Sequence, residues 1–166
     1  MCAIINDNPI DIQRKTINQF GVLLMSKISI QQFHSIIKNE LPWADEAGIH
    51  LYSITEGEAM MRLPFKANSL RPGGSISGPH MMLLADACMF AVVLSVIGEV
   101  KLAVTTNLNI NFLRKPTPND LLGEGKVIKM GKRLAVLEVT IIDSSTMKTV
   151  AHATGTYSIP PTENTD

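Results

Sequence analysis

The chain has 166 residues, 45% apolar and 18% charged, with 15 basic and 15 acidic side chains. Its balanced charge and lack of a long basic run argue against a nucleic-acid groove, and its longest apolar run, 87–94, is far too short for a membrane span. Two cysteines, Cys2 and Cys88, one terminal and one inside an apolar run, make no disulfide framework, so a reducing, cytoplasmic setting is expected.

Residues 1–24 have mixed polarity and poor periodicity, and a methionine follows at Met25. Met25 is therefore expected to be the true start, with 1–24 an extension, 25–160 one domain and 161–166 a polar tail. Residues 29–41 predict a helix. Ile30, Phe33, Ile36, Ile37 and Leu41 form one apolar stripe, Ser29 is suited to the N-cap with Gln32 completing a capping box, and Pro42 ends the run. Phe33 and Trp43 are expected to pack this helix onto a sheet.

The period then drops to two. Residues 49–55 and 59–65, separated by Glu56-Gly57-Glu58, predict a hairpin. Residues 66–79 hold three glycines and two prolines and read as a structured loop. Residues 80–97 predict a helix stopped at Gly98, apolar on nearly every side and therefore buried. Four strands follow, in the order of an antiparallel meander. The first, 104–113, alternates with Val104, Thr106, Leu108, Ile110 and Phe112 on one face and Thr105, Asn107, Asn109 and Asn111 on the other. Strand 121–130 is expected to be broken by Gly123 and Gly125; 134–142 and 149–159 complete the set. The order predicts an α+β fold in which an antiparallel sheet wraps one long central helix, with an additional N-terminal helix.

Between Gly73 and Gly98 the only side chain fully charged at pH 7 is Asp86. A carboxylate among Leu83, Leu84, Ala85, Ala87, Cys88 and Met89 is costly unless paired or used. Ser77-Gly78-Pro79 precedes it as an N-cap region with proline in the first turn. Amides freed at that helix start can stabilise an oxyanion. Asp86 lies eight residues beyond Gly78, about 12 Å by helix rise. The two can meet at one reacting atom only if a second subunit supplies one of them, so a shared site is expected.

Three stretches, GGSISGPHMMLLADA, VTTNLNINFLRKP and GKRLAVLEVTIIDSSTMKTVAHATGTYSI, together resemble the hotdog-fold acyl-CoA thioesterases of the phenylacetate-pathway (PaaI-type) family. The resemblance implies a hotdog fold and hydrolysis of an acyl-CoA substrate without metal or cofactor. It also implies a homodimer or homotetramer with active sites at the dimer interface. Residue by residue, it implies that Asp86 is the catalytic acid on the helix, as nucleophile or general base. Gly78 is then the glycine whose amide polarises the thioester carbonyl, and Thr105 the strand hydroxyl that positions water. Where the family shows His-Gly-Gly this chain has Ser77-Gly78-Pro79, with His80 displaced by three. The family's strand aspartate is Asn107, and its upstream asparagine aligns with Arg71, with Asn68 nearby. Arg114, Lys132 and Arg133 are candidates for CoA phosphates. Ser77, His80, Asn68, Arg71 and Asn107 are the remaining substrate-binding candidates. The altered motif leaves two alternatives open: a non-catalytic acyl-CoA-binding or regulatory protein, and a hotdog dehydratase or hydratase.

Overall fold

A computed structural model describes residues 25–161. The expectation about 1–24 concerns residues outside that range. Helix α1 (Ile30–Glu40) opens as expected: the Ser29 hydroxyl accepts from the Gln32 amide, and the Gln32 side chain accepts from the Ser29 amide. Its stripe buries Phe33, Ile36 and Ile37. Pro42 ends α1 but also starts a second short helix that periodicity missed, α2 (Pro42–Ala47), because a first-turn proline costs no hydrogen bond. Trp43 stays 48% exposed, so Phe33 alone packs inward as expected.

Strands β1 (His50–Thr55) and β2 (Glu58–Leu63) form the predicted hairpin, with a register shift between Leu51 and Ser53. The loop that follows folds into a 3-10 turn at Ala67–Ser69 and a tiny hairpin, β3 (Leu70–Arg71) with β4 (Ser75–Ile76). Helix α3 (Gly78–Ile97) then runs for 20 residues. Its length and hydropathy would also suit a membrane span, but here it is the core helix against which the sheet packs. Strands β5 (Val104–Phe112), β6 (Leu121–Met130), β7 (Leu134–Asp143) and β8 (Lys148–Ser158) complete one six-stranded antiparallel sheet, ordered β1-β2-β6-β7-β8-β5. This is the hotdog arrangement.

Two expectations about the sheet are corrected. First, the last four strands are not a simple meander, because β5 pairs with β8 at the far edge and 113–120 carries the chain back to β6. Asp143 ties that crossover down. Its carboxylate, 1% exposed, accepts from the Thr117 amide and hydroxyl (2.7 Å each), the Ser145 amide and hydroxyl, and the Thr146 amide. Burial alone would raise its pKa; the hydrogen bonds to its charged form win and hold it far below the usual carboxylate range.

Second, β6 is continuous through Gly123 and Gly125. These glycines bring the sheet close to the helix. A Cβ on Gly125 would lie 2.8 Å from Cys88 Sγ, and one on Gly155 in β8 would lie 2.6 Å from Met89 Sδ. Strand glycines here mark close approach rather than breakage. The Cys88 thiol, sealed in that contact, is pushed up to about 12 by burial, which makes it a packing group rather than a nucleophile.

Candidate active site

Asp86 sits on α3 where β5 and β8 cross its path. Its Oδ1 accepts from the Thr105 hydroxyl at 2.6 Å and lies 2.8 Å from the Tyr157 hydroxyl. Among the described residues Oδ2 has no hydrogen-bond partner. The residue is half-buried, with one carboxylate oxygen held by two hydroxyls.

Simple alternation puts Thr105 on the face opposite Leu108 and Ile110. The structure corrects this. The β5–β8 register shifts between Thr105 and Asn107, leaving Thr106 as an extra residue whose hydroxyl donates to the Thr156 carbonyl. A one-residue bulge reverses the facing on one side of it. Thr105 thereby joins the helix-facing side with Leu108 and Ile110, both of which pack on the core.

Tyr157 escaped sequence reasoning, although a signal existed. Ala151, Ala153 and Gly155 alternate inward along β8, and that parity carries Tyr157 inward too, at 2% exposure. A buried tyrosine needs a partner for its hydroxyl, and the neighbouring helix offers a single charge. The ring stacks on Phe90 with centroids 6.5 Å apart. Burial and then the nearby Asp86 charge push the Tyr157 pKa far up, so the hydroxyl keeps its proton.

The start of α3 is a different environment. The Ser77 hydroxyl does not cap the helix; it meets His80 Nδ1 at 2.7 Å. Gly78 lies against Phe112, whose Cζ would be 3.1 Å from an added Cβ. Beside it opens a groove of about 480 Å³, lined by Arg71, Gly78, Met81, Phe112, Arg114 and Lys115 among others. Lys115 Nζ donates to the Gly73 carbonyl at 2.8 Å, and Arg114 Nη1 donates to the Thr149 carbonyl at 3.0 Å, so both cations are held at the rim. Asp86 does not line this groove.

The candidate residues therefore divide into two groups. Arg71, Ser77, Gly78, His80 and Arg114 gather at the start of α3, with Asn68 exposed in the adjacent 3-10 turn and outside the groove lining. Asp86 and Thr105 gather near the middle of α3, with Asn107 exposed just past the bulge. Lys132 and Arg133 are exposed in the β6–β7 turn, at the end of the sheet where β5 begins, since Leu134 pairs with Ser158 and Ser158 with Val104. Within one chain these two groups do not meet. Among the described residues no three His, Cys, Asp or Glu side chains are grouped to hold a metal ion.

Comparison with known proteins bears out the fold. Residues 73–150, which include α3, β5, β6 and β7, match the model of the thioesterase superfamily. The crystal structure of a candidate thioesterase from a Silicibacter species is similar at 36% identity and TM-score 0.75, covering 83% of this chain and 96% of that one. The PaaI protein of the Escherichia coli phenylacetic acid degradation operon is similar at 25% identity and TM-score 0.70, covering 80% and 96%. A candidate esterase of Saccharolobus solfataricus is 28% identical over 81% of this chain and 87% of its own length.

Proposed function

The chain belongs to the thioesterase superfamily, and from that premise we propose that it hydrolyses an acyl-CoA thioester to the free acid and CoA, using Asp86. The observation that carries this reading is the Asp86 carboxylate itself, with Oδ1 held by hydroxyls and Oδ2 open. In the proposed reaction Oδ2 takes a proton from water as the water oxygen bonds to the thioester carbonyl carbon. The carbonyl oxygen, now charged, is stabilised by the amide at Gly78. Collapse breaks the C–S bond, and the departing CoA thiolate takes the proton back from Asp86.

Because Gly78 and Asp86 of one chain are about 12 Å apart by helix rise, the working site is proposed to need two copies. β5 supports this. It is an edge strand, and antiparallel pairing with a second β5 about its middle brings its Thr105 end alongside the partner's Phe112 end. Asp86, bonded to Thr105, then approaches the partner's Gly78. The same juxtaposition brings Lys132 and Arg133 of one copy towards the basic groove of the other, as suits the phosphates of CoA. Within one chain no histidine contacts Asp86 among the described residues. The non-catalytic alternative draws on Pro79, which removes one amide from the helix start.

Thiol release from a panel of acyl-CoAs tests the proposal. Wild type is expected to turn over, and Asp86→Asn to lose on the order of a thousandfold in kcat. Equal thiol release by the two proteins overturns the proposal, and binding without turnover selects the non-catalytic reading.

A further inference from the structure

We propose that Tyr157 is a positioning residue for the Asp86 carboxylate, a role that rests on the hydrolytic reading of Asp86 above. The Tyr157 hydroxyl has one proton and two acceptors in reach: Asp86 Oδ1 at 2.8 Å and the Asp86 backbone carbonyl at 3.0 Å. The carboxylate is the stronger acceptor because it is charged, so the proton goes to Oδ1. Thr105 donates to the same oxygen at 2.6 Å. Two hydroxyls on Oδ1 and none on Oδ2 fix the rotation of the carboxylate about its Cβ–Cγ bond. They also leave the lone pairs of Oδ2 uncommitted to the protein.

The two donors differ in how firmly they are held. Thr105 is an exposed residue on the edge strand, next to a bulge. Tyr157 is 2% exposed, on a strand paired on both sides, with its ring stacked against Phe90 of the same helix as Asp86. Phe90 in turn meets Phe33 of α1 at 6.2 Å between centroids. Within one chain Tyr157 is thus the buried donor of the pair, and Thr105 the donor on the edge strand. A hydroxyl with its pKa raised by burial and by the neighbouring charge keeps its proton, so towards the Asp86 carboxylate it is a donor.

The test is Tyr157→Phe, which keeps the ring and its stack on Phe90 and removes one oxygen. The expected result is a roughly tenfold fall in kcat with KM within about twofold, and an acid limb of the kcat–pH profile moved to higher pH. A merely structural tyrosine would move Tm and leave the pH profile in place. Thr105→Ser, which retains a hydroxyl, should keep most of the activity, whereas Tyr157→Phe combined with Thr105→Val should fall well below either single variant. A second readout does not depend on turnover: the NMR signal of the Asp86 carboxyl carbon should move in Tyr157→Phe and stay fixed in Tyr52→Phe, the remote tyrosine control. An unchanged carboxyl signal together with unchanged kcat overturns the inference. If wild type hydrolyses no acyl-CoA while the carboxyl signal still moves in Tyr157→Phe, the proposed reaction fails and the positioning contact stands.

Discussion

The two edges of the sheet are built differently. Along β1 the edge is defended. Its register slips between Leu51 and Ser53, and the freed Leu51 amide donates to His34 Nε2 of α1 at 3.0 Å. The His34 ring faces His50 at 4.5 Å, and His50 meets Tyr52 edge-on at 5.2 Å. Along β5 no helix covers the edge among the described residues, and Val104 and Phe112 are each more than half exposed. Both edges carry a bulge, but only β1 has a packed helix and a side-chain acceptor to stop strand addition; the uncovered nine-residue edge of β5 invites it. The difference teaches which edge is available to a second copy, and it is the one that carries the donor to Asp86.

The sharpest way to break the contrast is to charge the open edge. Asn109→Lys puts like charges opposite one another at the middle of a β5–β5 pair. It is expected to yield a monomer by light scattering, with unchanged far-UV circular dichroism. Turnover should drop at least about a hundredfold, roughly 3 kcal/mol of transition-state stabilisation. A monomer retaining wild-type turnover would show that the site is not shared.

Asp143 controls whether β5 can reach its edge at all, because it holds the crossover. Asp143→Ala removes the buried acceptor of five hydrogen bonds and is expected to cost about 3 kcal/mol in urea unfolding, with little change in KM for the material that remains folded. Its folded pKa is depressed, so its contribution to stability is present above the unfolded value near 4. That contribution is lost as pH falls through the folded pKa, and acid titration of wild type, but not of Asp143→Ala, should show this loss.

A smaller loss is expected where sheet and helix meet. Gly125→Ala forces a methyl group to within 2.8 Å of Cys88 Sγ and should cost about 2 kcal/mol, read as a lower Tm.

The closed edge should yield the mildest effect. Burial and then the neighbouring His50 lower the His34 pKa, and its Nε2 must be unprotonated to accept from Leu51. The unfolded chain therefore takes up this proton first as pH falls below about 6.5. A modest loss of stability on lowering the pH to about 5 is expected, with faster amide exchange at Leu51 and no change in oligomeric state. Dissociation of the oligomer over that interval in step with Leu51 exchange would reverse the assignment of the two edges.

Most of the secondary structure was legible from periodicity, because helix and strand leave a one-dimensional trace. Asp86 was legible for a related reason: a lone charge in an apolar helix is visible whatever the fold. The Ser29 cap, the Gly98 stop and the start of α3 near Gly78 were equally local. Short α2 was not, since six residues are too few for a period. Gly123 and Gly125 were misread because a glycine that breaks a strand and one that admits a helix look alike until the helix is in place.

How that carboxylate is held, and what it faces, depends on contacts between distant parts of the chain. Its donors lie 19 and 71 residues away along the chain. Thr105 reaches it only because a bulge at Thr106 reverses the facing that strict alternation implies, and a bulge is set by pairing between strands. Strand order likewise depends on which edges find partners, so the return of β5 to the far edge left no local mark. Periodicity and one lone charge require a sheet that wraps a buried helix bearing one acid. The pairing of distant strands sets Thr105 and Tyr157 on that acid and leaves the amide of Gly78 out of its reach in the same chain.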